Sequence, residues 1–239
     1  AELNRETWAN VMTPRMLSGH MQGRILSMIS KMISPDNIIE IGNQSWMKEN
    51  LKVTHYRNGD GIPTNHTAIE WVELTSGAYS FYNNDPVNII IFGNIYNYYA
   101  VDDERGLCLE GWHVPSDDEW TSLAMYLDPS ASPDAVGYQS EIAGGMLKET
   151  GSIENGDGYW HDPNEGATNE TGFSARAGGA RNGTSTGHYL YMGSSNYYWS
   201  STEFSSNDIW YWRLNASSAG ILRVHWDGGS GFYVRCIRD

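Results

Sequence analysis

The chain has 239 residues, enough for one large domain or for a domain with an appendage. Its formal net charge of -14 excludes nucleic acid and anionic membrane surfaces as favoured partners, because both would repel it. No apolar run reaches the roughly 18 residues that a spanning helix requires, so membrane insertion is not expected.

The aromatic content is skewed: 10 Trp and 15 Tyr stand against 5 Phe. Trp and Tyr join a large apolar body to a polar tip, which suits half-wet positions and binding surfaces. With 26 Gly and long Asn/Ser/Gly stretches, the second half reads as loop-rich but folded, since disordered chains are poor in aromatics.

Taken in chain order, residues 15–33 place Leu17, Met21, Ile25, Met28, Ile29 and Met32 at helical spacing, between Pro14 and Pro35. The spacing predicts an amphipathic helix with a Met-rich face that docks on the main domain or mediates self-association. From Ile38 onward short apolar alternations, Gly and Asn punctuation and aromatic pairs replace the helical period. One further helix is signalled by the capping box Ser116-Asp117-Asp118-Glu119, with Trp120, Leu123 and Leu127 behind it. The last forty residues read as strands over 209–214, 221–226 and 232–237, separated by turns at 215–220 and 227–231. The expected class is α+β, with few helices, long loops and a twisted antiparallel sheet. The expected division is an N-terminal helical segment, 1–37, and a main domain, 38–239.

Within the final strands the period of two groups Ile209, Tyr211 and Arg213 against Trp210, Trp212 and Leu214. It likewise groups Ile221, Arg223 and His225 against Leu222, Val224 and Trp226. The expectation is one large apolar face and one mixed face bearing Tyr211, Arg213, Arg223 and His225, ringed by small polar residues. Tyr and Arg dominate binding hot spots, and Ser and Asn supply adaptable hydrogen bonds. An ordinary solvated sheet face has the same pattern.

Candidate chemistry is sparse. The seven histidines are scattered, none at zinc-ligand spacing. His113, between Trp112 and Val114, reads as a packed, hydrogen-bonded core histidine. Turns at 155–158 and 162–165 offer oxygens of the kind calcium takes, but Asx/Gly turns form without metal, so no metal or cofactor is assigned. Cys108 and Cys236 permit one pairing, which would close a loop of more than a hundred residues and stabilise by up to ~4–5 kcal/mol. Two separate buried thiols fit the sequence equally well.

Five blocks in order carry a family resemblance. They are Ile41-Gly42-Asn43-Gln44-Ser45-Trp46-Met47-Lys48-Glu49-Asn50-Leu51, Gly93-Asn94-Ile95-Tyr96-Asn97-Tyr98-Tyr99-Ala100 and Cys108-Leu109-Glu110-Gly111-Trp112-His113-Val114-Pro115-Ser116. Tyr198-Trp199-Ser200-Ser201-Thr202 and Gly231-Phe232-Tyr233-Val234-Arg235-Cys236-Ile237-Arg238-Asp239 complete the set. From 38 to 239 the chain resembles the Fibrobacter succinogenes major paralogous domain, a family of Bacteroidetes and Fibrobacteres. The resemblance implies a C-type-lectin-like fold on secreted or lipid-anchored proteins, hence an extracellular or cell-surface location, although no leader is visible. That fold is shared with retroelement-diversified ligand-displaying proteins, whose variable positions lie in the C-terminal region. By resemblance the ligand-facing role falls on Phe204, Ser206, Asp208, Tyr211, Arg213, Arg223, His225 and Asp227.

A second resemblance covers the start. Pro14-Arg15-Met16-Leu17-Ser18-Gly19-His20-Met21-Gln22-Gly23-Arg24 with Ile38-Ile39-Glu40-Ile41-Gly42 is similar to the opening of a bacterial O-methyltransferase. The glycine loop that would hold S-adenosylmethionine does not follow Gly42. The lectin-like fold is also that of formylglycine-generating enzymes, which need a close redox cysteine pair; Cys236, inside a strand pattern, reads as structural. The expected function is therefore binding or adhesion towards a protein or glycan, without catalysis. The alternatives are an enzyme, either a formylglycine-generating-like oxidase or a methyltransferase remnant, and a structural assembly component.

Overall fold

The computed structural model describes residues 37–239. The amphipathic stretch 15–33, and with it nearly all of the expected 1–37 segment, lies outside the described residues. Thirteen strands are formed among the described residues, beginning with β1 (Ile38–Ile41), β2 (Gln44–Met47), β3 (Tyr79–Ser80), β4 (Ile95–Asn97), β5 (Trp112–His113) and β6 (Gly137–Ser140). β7 (Ala180–Arg181), β8 (Tyr189–Leu190), β9 (Ser195–Glu203), β10 (Asp208–Asn215), β11 (Ser218–Asp227), β12 (Gly231–Phe232) and β13 (Ile237–Arg238) follow. Five short α-helices accompany them: α1 (Ala68–Val72), α2 (Pro86–Phe92), α3 (Tyr98–Val101), α4 (Asp117–Leu127) and α5 (Ala143–Leu147). The strands make three sheets, ordered β1-β2-β13-β5, β3-β4-β12-β7-β8 and β6-β11-β10-β9, and every pairing of named strands is antiparallel. The fold is thus mostly antiparallel sheet with few helices, consistent with the expected α+β class or with a mainly-β one. No described helix is long and apolar enough to cross a membrane.

β1 and β2 pair from Ile38↔Met47 to Ile41↔Gln44 around a two-residue loop. Gly42 holds φ +64 there, the left-handed conformation such a tight hairpin needs, and a side chain would also strike the Tyr126 ring. The strand that resembles a methyltransferase opening therefore turns straight back into antiparallel pairing.

α4 forms as its capping box predicts. The Ser116 hydroxyl accepts from Glu119 N, and the Glu119 carboxylate accepts from Ser116 N. Three acidic residues in its first turn favour the positive end of the helix dipole. Trp120, Leu123 and Ala124 face inward, and the Trp120 ring lies between those of Trp46 and Trp212, 4.8 and 6.0 Å away.

The sheet β6-β11-β10-β9 is covered on both faces. Trp212, Leu214, Ile221 and Tyr198 enter one apolar cluster with α4 and α5. Tyr211, Ile209, Tyr197 and Trp199 enter a second, with Tyr96, Phe232 and both cysteines. This corrects the expectation of one apolar and one mixed face. The register pairs Tyr211 with Val224 and Trp212 with Arg223, and directly opposed residues share a face. Tyr211 and Arg213 are thereby on the side opposite Arg223 and His225.

The expected closing strand 232–237 is also corrected: it divides into β12 and β13. Between them the chain crosses from one sheet to another. Tyr233 exchanges backbone hydrogen bonds with β9, Val234 O accepts from Leu51 N, and Cys236 O accepts from Met47 N. Cys108 and Cys236 form a disulfide, with Cα atoms 6.1 Å apart across 128 residues of chain. Both are buried, and the bond between their sulfurs decides the pairing against two separate buried thiols.

Long irregular segments leave carbonyl groups without ladder partners, and three buried cations collect them. Lys148 Nζ donates to Glu165 O, Asn215 O and Ser218 O at 2.7, 3.0 and 2.9 Å. Burial lowers its pKa to about 8, so the ammonium keeps its charge at neutral pH. Arg181 donates to the carbonyls of Gly187, His66 and Thr67, with its guanidinium 4.3 Å from the Trp71 ring. Arg235 binds Asn50 Oδ1 through two of its nitrogens and the Phe173 carbonyl through the third.

Candidate functional site: an acid-lined cleft beside the C-terminal sheet

A cavity of about 620 Å³ opens where α3, the 75–77 loop and the ends of β9, β10 and β11 converge. That size suits a ligand pocket. Asn97 ties two of its walls together. Its Oδ1 caps α3 by accepting from Ala100 N and also accepts from Ala78 N, while its Nδ2 donates to Ser76 O. Tyr98 ties in the third wall: its N donates to Gly228 O, and its hydroxyl donates to Ser201 O at 3.1 Å. At Gly77 a Cβ would collide with the Tyr56 hydroxyl, so a close approach fixes glycine at this point of the wall.

The lining is acidic and aromatic. Tyr98 and Tyr99 supply ring surface, and Tyr99 is 39 % exposed. Asp102, Asp103, Glu203 and Asp227 supply carboxylates, against Arg105 as the one lining cation among the described residues. Arg105 is already held. It grips both oxygens of Asp103 at 2.8 and 2.7 Å, reaches Asp60 at 3.2 Å, and lies 4.0 Å over the Tyr56 ring. This fork holds the Asp103 carboxyl below its ordinary range. Burial and the neighbouring Asp102 and Glu203 charges raise the Tyr98 phenol.

The structure divides the eight sequence-predicted residues into three groups. Ser206 and Asp227 line the cleft. Phe204, Asp208, Arg223 and His225 assemble on the adjoining face of β10 and β11. There Phe204 stacks on His225 at 3.8 Å, and both rings meet Trp210 edge-on. His225 Nδ1 lies 3.0 Å from Asp208 Oδ2, and Arg223 covers the Trp210 ring at 3.7 Å. Arg223 Nε donates to Asp117 Oδ2 at 2.7 Å, while Trp212 Nε1 donates to Asp117 Oδ1 at 3.0 Å, so this cluster is anchored to α4. Tyr211 and Arg213 form the third group, on the reverse face. Tyr211 is 7 % exposed and packs on Tyr197 and Phe232; burial pushes its phenol up to about 12. Tyr211 is core packing, which corrects its placement on an outer patch.

The cleft also uses Asn207, one of the small polar residues expected around the patch, and residues that the sequence did not single out: Tyr98, Tyr99, Asp102, Asp103 and Glu203. For Tyr98, Tyr99, Asp102 and Asp103 the signal was an aromatic pair followed, after Ala100 and Val101, by the acidic run Asp102-Asp103-Glu104. The turns once weighed for calcium serve local structure. Asp157 Oδ1 accepts from Ser152 N, and Asn164 Nδ2 donates to the Glu149 and Gly151 carbonyls. No cluster of three or more His, Cys, Asp or Glu suited to a metal occurs among the described residues.

Fold and cleft together define a disulfide-tied protein of mostly antiparallel sheets and few helices, with a ligand-sized concavity beside its C-terminal strands. The chain belongs to the family of the Fibrobacter succinogenes major domain, whose model matches residues 39–238. No curated protein and no solved structure matches it.

Proposed function

We propose that this chain is a non-catalytic binding module with a C-type-lectin-like fold, displayed outside the cell, which grips a protein or glycan ligand in the acid-lined cleft. The observation that carries the reading is the cleft itself: a ligand-sized concavity in which Tyr98, Tyr99, Glu203, Ser206, Asn207 and Asp227 converge from separate parts of the chain. Rigid Tyr rings beside small, adaptable polar side chains are the chemistry of gripping surfaces. The disulfide suits an oxidising compartment, in keeping with an extracellular or surface location. Its sulfurs lie in the second apolar cluster, apart from the cleft lining, which speaks for a structural role over a redox one.

The test is binding of the purified full chain to glycan and protein arrays, repeated with Tyr99→Ala and with Ser206→Trp, a bulky ring placed in the cleft. Both variants are expected to lose the hits of the parent protein while keeping its thermal unfolding midpoint. Undiminished binding in both would remove the cleft from the account.

A further inference from the structure

We infer that the cleft takes a cation, namely a lysine or arginine side chain presented by a protein partner. The inference rests on the cleft being the ligand site and specifies its occupant. Asp102, Glu203 and Asp227 line the cleft, and none of the three has an ion-pair partner among the described residues. Arg105 cannot neutralise them, because its fork is filled by Asp103 and Asp60. Asp102 and Glu203 both act on the Tyr98 phenol, so their fields meet within one small volume.

A second, independent feature points the same way. Asp208 and Asp227 are direct cross-strand partners at the end of the β10–β11 hairpin. Like charges in that relation oppose strand pairing. Asp208 is met by His225, whereas Asp227 receives one backbone N–H, from Gly229. Local conflicts of this kind collect at functional sites, where something other than the fold requires them. Behind the wall the Tyr56 hydroxyl, in a residue 2 % exposed, makes no hydrogen bond of standard geometry, and Asp103 and Arg105 are its charged neighbours. A neutral sugar would desolvate the free carboxylates without neutralising them, which is costly. A lysine or arginine would neutralise them, with its stem against the exposed Tyr99 ring and its charge within reach of the ring face.

Calorimetric titration of the full chain with a lysine hexamer and with cellohexaose tests this. The lysine hexamer is expected to bind. Asp102→Asn combined with Glu203→Gln should weaken it about fivefold or more, the effect of removing two exposed charge pairs. Asp134→Asn combined with Glu141→Gln removes the same charge from exposed positions outside the cleft and should change affinity by less than about twofold, since distant exposed charges are screened. Equal weakening in the two double variants would show attraction to the whole chain's field and overturn the inference. Failure of the hexamer to bind would do the same. Cellohexaose binding that Tyr99→Ala abolishes would then keep the cleft as the site and discard only the cation. Silence from both probes would overturn the cation and count against the cleft as well.

Discussion

The Lys148 ammonium stands 2.7 Å from the carbonyl oxygen of Glu165, at the centre of a cage that two further carbonyls, of Asn215 and Ser218, complete. Those oxygens come from a loop and from both arms of the β10–β11 hairpin, so one side chain fastens segments up to 70 residues away. Replacing Lys148 with Met keeps the volume and orphans three buried acceptors. At roughly 1–3 kcal/mol for each unsatisfied group, Lys148→Met is expected to lower stability by about 3 kcal/mol or more. Urea unfolding followed by tryptophan fluorescence measures it. An unchanged midpoint would mean that water enters and satisfies the carbonyls.

Such a cage shows where sequence reading stops. α4 was legible because Ser116 and Glu119 act within one turn and Trp120 and Leu123 follow the local period. The β10 and β11 strands were legible for the same reason, and β11 meets β10 through a short turn. Which face of each strand met which partner was not. The alternation groups residues along one strand, and the cross-strand register then decides which groups coincide. Here it brought Arg223 beside Trp212 and turned Tyr211 to the opposite face. Nor does alternation show that both faces are covered, because the covering layers come from distant segments. Asn97, which links two walls of the cleft, is a polar residue between Tyr96 and Tyr98; its meaning appears only once Ala78 and Ser76 stand beside it. The disulfide was one of two readings in the sequence for the same reason.

The cysteines give a second quantitative expectation. The bridge closes 128 residues, and the chain-entropy account assigns about 4–5 kcal/mol to a loop of that order. Removing both sulfurs as Cys108→Ala with Cys236→Ala is expected to lower stability by that amount. Reductant should then shift the parent protein's denaturation midpoint towards that of the variant and leave the variant unmoved. A midpoint equal in both proteins before reduction would contradict the bridge.

His113 bears on pH. Burial works against its charged form, but hydrogen bonds to Asp239 and Glu119, at 2.6 and 2.9 Å, outweigh burial, and the pKa in the folded state is raised above 6.5. A group whose folded pKa lies above its unfolded value stabilises fully below the unfolded pKa, and that contribution fades as pH rises through the folded one. This contact between β5, α4 and the residue after β13 should therefore weaken from the acid side of 6.5 towards the alkaline side. Proton NMR titration of the His113 ring is expected to give a midpoint above 6.5, and Asp239→Asn should bring it down. An unaltered midpoint in the variant would remove Asp239 from the contact.

Tyr99 and Tyr211 separate gripping from packing. Tyr211, in the second apolar cluster, should cost about 3 kcal/mol or more when cut to Ala, as large buried rings do. Tyr99, 39 % exposed at the cleft, should cost little stability but lose ligand. Thermal unfolding and array binding measured side by side on the two variants distinguish the roles. Should Tyr211→Ala leave the midpoint intact and abolish binding, the reverse face would be the functional one.

The pair Arg223–Asp117 joins β11 to the N-terminus of α4, with the side chains 14 % and 4 % exposed. Asp117 also receives the Trp212 indole, so one carboxylate serves two partners from neighbouring strands. Asp117→Asn keeps an oxygen for the indole and removes the charge, which leaves the Arg223 guanidinium buried without its counter-ion. Removing one member of such a pair costs about 3 kcal/mol or more, whereas replacing both with apolar groups often costs little. Arg223→Met should likewise be destabilising alone, because it strands the Asp117 charge and uncovers the Trp210 ring. In the double variant Asp117→Asn/Arg223→Met no buried charge remains, and the loss should fall about 2 kcal/mol short of the sum of the single losses. Strictly additive losses in urea unfolding would show that each residue acts through its own ring contacts and that the ion pair contributes nothing to holding the C-terminal sheet against α4.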